Sequence, residues 1–237
     1  MGIAQSFNKA IDKQLASHAA WMPIVNTFKI GDFGVFKDGV FQSMGNVKDK
    51  YPEINFTIED APPADIDFSS EGTKSFKLDA SGNVTTSFAN LGNLDATLKF
   101  VFENADSCVI KAKLTCKQLK NVEEIGSILA KKKDWRNKFS VVSKTYTGEK
   151  CVIICAKEAG TEVSLNASAD LLKQVEIGKV EAGVGFTSNR NSAFNAIGET
   201  GVLALSLFKL NWLGNTKLLA EGKYEIKEVK GEMEDDF

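Results

Sequence analysis

Apolar and polar residues alternate along much of this chain, most plainly between residues 93 and 118. Ala96, Leu98, Phe100 and Phe102 take every second position, against Asp95, Thr97, Lys99 and Glu103. After a short polar break the pattern resumes, with Cys108, Ile110, Ala112, Leu114 and Cys116 on one face and Lys111, Lys113, Thr115 and Lys117 on the other. A period of two is that of a β-strand, so the stretch predicts a hairpin. Each run is about ten residues long, which suits an ordinary half-buried sheet and also one membrane-crossing strand.

Elsewhere the period changes. Ile3, Phe7, Ile11 and Leu15 recur every fourth residue with Lys9 and Lys13 beside them, predicting an amphipathic first helix over 3–21 that ends near Pro23. Asp38-Gly39 between two apolar pairs predicts a tight hairpin. Further alternating strands follow, divided at Pro62-Pro63 and Gly82. Leu119, Val122, Ile125, Ile128 and Leu129 form a second helical stripe, trailed by Lys131, Lys132, Lys133, Arg136 and Lys138.

Residues 150–157 make a near-continuous apolar run typical of a central strand. Val163, Leu165, Ala167 and Ala169, then Val180, Ala182, Val184 and Phe186, predict a second amphipathic pair, and 201–212 a last buried strand. The expected fold is α+β, a twisted, mainly antiparallel sheet with peripheral amphipathic helices. With no repeat or linker in view, residues 1–212 read as one domain and 213–237 as an acidic tail.

Composition narrows the class only a little. A chain of 237 residues, 43% hydrophobic and 25% charged, is ordinary for a soluble protein with a sizeable core. No apolar run is long enough for a membrane helix and no secretory signal is visible, so a cytoplasmic location is expected. The net charge of −2 is unevenly spread: residues 111–150 hold eleven basic against four acidic residues, 51–72 hold six acidic and no basic ones, and 221–237 seven acidic against three basic. A basic centre beside an acidic tail suggests an anionic partner and self-shielding, with solvated surface as the plainer reading.

Catalytic constellations are missing. Cys151 and Cys155 share a strand face roughly 13 Å apart, too far for one zinc ion, and the four cysteines read as reduced core thiols. His18 is the only histidine and falls in the first predicted helix, which excludes a histidine metal cluster. Asp32-Phe33-Gly34 lacks the other kinase motifs and reads as a loop turn, and no phosphate-binding glycine loop occurs. No enzyme activity, cofactor, metal or nucleic-acid partner is expected.

Taken in order, these elements resemble the pore-forming N-terminal domain of the gasdermins: an amphipathic first helix, early strands, one amphipathic hairpin, a helix with basic residues, a central strand, a second amphipathic hairpin and a last strand. The likeness covers about Ile3 to Trp212 and lies in layout, without a signature motif. It implies a domain held inactive in the cytosol, released by a protease, that binds acidic lipids, oligomerises with itself and inserts two hairpins per subunit. Here these would be about Asn83–Lys117 and Val152–Thr187.

The resemblance assigns lipid binding to Lys9, Lys13, Lys131, Lys132, Lys133, Arg136 and Lys138. It assigns membrane insertion to Leu98, Phe100, Phe102, Ile110, Leu114, Val163, Leu165, Val184 and Phe186. The chain departs from mammalian gasdermins in lacking room for their large C-terminal inhibitory domain, for which the acidic tail is a candidate substitute. It departs from bacterial forms in having no cysteine before Cys108, although Gly2 to Ser6 fits a myristoylation pattern. A soluble lipid- or protein-binding module of the same fold that never inserts is the alternative.

Overall fold

The computed structural model describes residues 2–37, 39–180, 183–190, 193–211 and 214–218. Within them the fold is α+β and every strand pairing is antiparallel, but the strands form two sheets rather than one. The larger sheet contains β1 (His18–Ala19), β2 (Asp32–Lys37), β3 (Val40–Asn46), β4 (Ile58–Ser69), β8 (Ser107–Leu119), β9 (Ser140–Ala156), β12 (Ala193–Leu210) and β13 (Thr216–Leu218). The smaller contains β5 (Thr73–Asp79), β6 (Val84–Thr85), β7 (Asp95–Phe102), β10 (Thr161–Ser168) and β11 (Gly185–Ser188). Helices α1 (Ile3–Leu15), α2 (Val47–Lys50), α3 (Val122–Leu129) and α4 (Ala169–Glu176) lie between strands in the chain.

The stretch from 93 to 118 is not a hairpin. β7 pairs with β5 and β10, β8 pairs with β4 and β9, and residues 103–106 carry the chain from one sheet to the other. A strand alternates in the same way whichever neighbour it takes, so the pattern in the sequence could not distinguish a turn from a corner.

The same crossing occurs four times. β4 passes into β5 through 70–72, β7 into β8 through 103–106 and β9 into β10 through 157–160, while β11 ends at Ser188 in the smaller sheet and β12 begins at Ala193 in the larger. Pairing runs β4-β8-β9-β12 in the larger sheet and β5-β7-β10-β11 in the smaller. The smaller sheet is therefore a continuation of four strands of the larger one, folded back over it.

Two cores follow from that fold-back. The apolar face of β7 packs with Val109, Val152 and Ile154 of the larger sheet and with Leu172 and Val175 of α4. On the other side α1 lays Phe7 and Ile11 over Cys108, Ile110, Leu114 and Ile153. Each such large side chain taken from water stabilises the fold by about 1.5–3 kcal/mol.

Several further expectations are corrected. α1 stops at Leu15, where Ala16 turns left-handed (φ +47°) and its N–H closes on Asp12 O. His18 consequently lies in β1 opposite Leu205, its ring 4.8 Å from that of Phe36. Asp32-Phe33-Gly34 opens β2 instead of forming a loop turn, and β2 and β3 make the hairpin expected at Asp38-Gly39, of which Asp38 itself lies outside the described residues.

Pro62-Pro63 do not divide two strands. β4 runs through them with a bulge between Ala61 and Ala64, tolerated because β4 has a ladder with β8 on one side only among the described residues. Ala169 begins α4, which interrupts the expected second amphipathic pair. Ser168 caps α4 by accepting from Leu171 N–H, and Ala169, Leu172 and Val175, three apart, are its buried stripe. Of the segment read as tail, Thr216–Leu218 form β13 against β12, and the tail from 219 onward, with its proposed restraining role, lies outside the described residues.

Candidate functional site

The seam between β7–β8 and β9–β10 keeps one register across the corner. Phe102 pairs with Thr161 in the smaller sheet and Ser107 with Ala156 in the larger, an advance of five positions on each strand. Backbone hydrogen bonds already continue this ladder at both ends: Asp106 N–H donates to Lys157 O at 3.4 Å, and Ala169 N–H to Leu94 O at 2.9 Å. Two left-handed residues, Asp106 (φ +55°) and Gly160 (φ +72°), bend the otherwise continuous pair.

Counted from Leu94 to Phe102 and from Thr161 to Ala169, the band beyond the corner is nine residues on each strand. That falls within the roughly 9–11 residues of a transmembrane β-strand. Leu98, Phe100 and Phe102 share a face with Val163 and Leu165, and all five are buried. Val184 and Phe186 pack at the margin of the same core, partly exposed. The opposite face is polar: Lys99 pairs with Glu162 at 2.8 Å, and Thr97 Oγ1 donates to Asn166 Oδ1 at 2.8 Å.

The structure separates Ile110 and Leu114 from this group. Both lie in the larger sheet, beyond the corner and within the core that α1 covers. The sequence grouped them with Phe100 because all share even numbering, which orders faces along a straight strand but not around a bend.

The basic centre is partly neutralised. Lys111 pairs with Asp67 at 2.7 Å, Lys120 approaches Glu59 at 3.5 Å, and Lys132 pairs with Glu53. Asp65 and Asp60 stand opposite Lys113 and Lys117 in the β4–β8 ladder. The acidic stretch from 51 to 72 thus lies along the basic one, and the charge asymmetry of the sequence is largely internal pairing.

What stays outward is a loop. α3 ends at Leu129, and Lys131, Lys133, Arg136 and Lys138 follow it in exposed turns. Trp135 and Phe139 anchor the loop, stacking on Phe33 with ring centroids 5.5 and 5.4 Å away. Arg136 and Lys138 line a cleft of about 540 Å³ with Lys50, Asp134, Val35 and Met44.

Lys50 was not legible as part of this site, since α2 lies some eighty residues earlier in the chain. It pairs with Asp134 at 2.9 Å, and Tyr51 Oη donates to the same carboxylate at 2.7 Å. These bonds, that from Tyr51 first, hold the Asp134 carboxyl below its ordinary range, while burial and then Asp134 push the Tyr51 phenol up. Met44 is 59% exposed at the rim of this cleft. Lys9 and Lys13 face solvent on α1, which covers a different core from the one beneath this loop.

All four cysteines are buried and free, and burial pushes the Cys151 thiol up to about 12. Cys108 and Cys155 face each other across the β8–β9 ladder. Among the described residues no helix is long and apolar enough to cross a membrane.

Set against known proteins, the chain matches no protein family and no curated sequence. Among solved structures it is similar to the cryo-EM structure of the gasdermin A3 membrane pore, at 7% identity and a TM-score of 0.34 over 97% of each chain. Likeness at this level assigns no family, so the register and surface just described are what bear on function.

Proposed function

We propose that this protein is a gasdermin-like pore former that docks on anionic membranes and inserts its smaller sheet, as one subunit of a closed β-barrel. The observation that carries this reading is the unbroken register across the corner at 103–106 and 157–160. Straightening Asp106 and Gly160 into extended backbone would join each half-strand to its continuation without sliding the central pair. The buried face of Leu98, Phe100, Phe102, Val163 and Leu165 would then meet lipid, and the face of Lys99, Glu162 and Asn166 would line water. Closure with further copies would pair every backbone donor and acceptor, which the bilayer interior requires. Ile110 and Leu114, beyond the polar corner, would stay above the hydrocarbon.

The cleft supplies the docking chemistry. Arg136 and Lys138 offer donors to a phosphate while Met44 reaches the apolar layer. The chain would wait in the cytoplasm and move to the membrane, with acidic phospholipid and copies of itself as partners, and no catalysis is required.

The reading is tested by release of trapped dye from phosphatidylserine vesicles and from neutral ones, using the full chain. Release from the anionic vesicles supports it. Binding without release favours the non-inserting module.

Two substitutions sharpen the test. Replacing Arg136 and Lys138 together by Ala should weaken vesicle binding about 30-fold at low salt, at about 1 kcal/mol per charge near the surface. High salt should shrink the difference, and equal binding of wild type and variant in a low-salt sedimentation assay would remove the cleft from the mechanism.

Gly160→Ala should act the other way. Its nearest neighbour, an Arg190 guanidinium nitrogen at 3.7 Å, leaves room for a methyl group, so the effect is one of conformation rather than collision. Alanine at this left-handed φ raises the bent state by about 1–2 kcal/mol and leaves an extended strand unaffected. Half-maximal release should occur at roughly 5- to 30-fold lower protein concentration, and an unchanged or higher concentration would mean that this corner does not straighten.

A further inference from the structure

The three seams of the smaller sheet differ in how they meet the larger one. At the central seam the registers agree. At the β11 side, Ala156 pairs with Ala193 and Val163 with Ser188, so seven positions on one strand face five on the other. That mismatch of two is even, and it leaves faces unchanged if it is absorbed. At the β5 side, Ser69 pairs with Val109 but Thr73 with Phe102, four positions against seven. That mismatch of three is odd, and continuing the β4–β8 register into β5 would turn every β5 side chain to the other face.

The present register of β5 is poorly matched to its surroundings. Ser75 and Lys77 stand opposite Phe100 and Leu98, Ser75 exposed and Lys77 half-buried over the Phe88 ring and paired with Glu176, while Phe76 stands opposite Lys99 on the polar face and is 37% exposed. The Thr73 hydroxyl is buried with no hydrogen-bond partner. An apolar side chain facing water and a hydroxyl orphaned inside are a local conflict between sequence and structure.

We propose that β5 is stored out of register and turns over on membrane insertion, making Phe76 and Leu78 lipid-contacting residues. This rests on the pore reading above. In the continued register Phe76 faces Phe102 and Leu78 faces Phe100, completing an apolar band across β5, β7 and β10. Lys77 moves to the water-lined face, and Asp79 comes opposite Lys99, where it can form an ion pair. The slide of three residues is about 10 Å. It opens the turn at Ser70–Gly72, now closed by Thr73 N–H on Ser70 O at 3.1 Å, and draws chain from the turn where Asp79 accepts from Ser81 and Asn83 N–H.

The test places a small environment-sensitive dye on the full chain through Phe76→Cys or, separately, Lys77→Cys. The native thiols are buried, so labelling the folded protein directs the dye to the new site. On phosphatidylserine vesicles, with dye release followed in the same sample, a lipid-phase quencher should remove most of the signal at position 76 and leave position 77 unchanged. Without vesicles neither should be quenched.

Release with quenching at 77 and not at 76 would show that β5 enters in its stored register, overturning this inference and leaving the pore reading intact. Release with quenching at neither position would show that β5 stays out of the bilayer, with the same consequence. Absence of both release and quenching overturns the pore reading and this inference together. Since Phe76 is already exposed, labelling there should leave the soluble fold intact, and Leu78→Cys provides a second position on the same face with the same expected quenching.

Discussion

A single glycine inserted after Ala105 should abolish dye release while leaving the soluble protein folded. Residues 103–105 are exposed and lie at a corner, where added length is ordinarily tolerated. In the bent state the two sheets are paired independently, so the extra residue disturbs neither ladder. In the straight state it shifts β7 by one position relative to β8, against an unshifted β9–β10 partner. An odd shift puts apolar residues on the watered face throughout one half of the strand.

A second glycine, inserted after Glu158 in the opposite corner, should have the same effect alone; combined with the first it restores the register of the central β7–β10 pair but moves each outer seam by one position, so release should return in part. Rescue by the pair is the outcome that a purely local disturbance would not give. If either single insertion releases dye as well as wild type, the strands do not become continuous. Circular dichroism and thermal melting, close to wild type for all three variants, would show that the comparison is between folded proteins.

Phe102→Ala should cost about 3–5 kcal/mol in urea unfolding, the range for removing a fully buried phenylalanine ring. Phe102 is 0% exposed and packs in the core shared by the two sheets. Against the total stability of about 5–15 kcal/mol typical of a domain, that is a large fraction. Phe76→Ala, on the other face of the same sheet and 37% exposed, should cost clearly less, about 1 kcal/mol. Similar losses at both positions would mean that the sheet has no preferred side, and the polarity assigned to its faces would fall with it.

The fold was legible in the sequence wherever a local period governed the outcome. The stripe Phe7–Ile11 gave α1, Asp38-Gly39 gave the β2–β3 hairpin, and Leu98, Phe100 and Phe102 share a buried face as their alternation required. What was not legible is long-range. Whether β7 and β8 pair depends on which edges are free when they meet, and nothing between Phe102 and Ser107 encodes that choice. α4 was hidden because Ala169 continues the alternation of β10 for one residue after the strand has ended. Lys50 entered the cleft only through tertiary packing, and the acidic partners of Lys111 and Lys132 lie forty to eighty residues away in the chain. Charge counted over a window cannot reveal which charges meet.

The bulged prolines of β4 bear on how crowded the protein can be before it sticks to itself. A bare twelve-residue edge strand is a template for a second molecule. Pro62 and Pro63 remove two amide donors from the middle of this one, and the bulge between Ala61 and Ala64 interrupts its straight run. A solution of the protein should therefore resist fibrillation at concentrations where a smooth, unbroken edge would seed it. The same two residues leave any neighbour that joins along β4 short of hydrogen bonds at that level, so a ring built through this edge would have to be held by contacts above and below it.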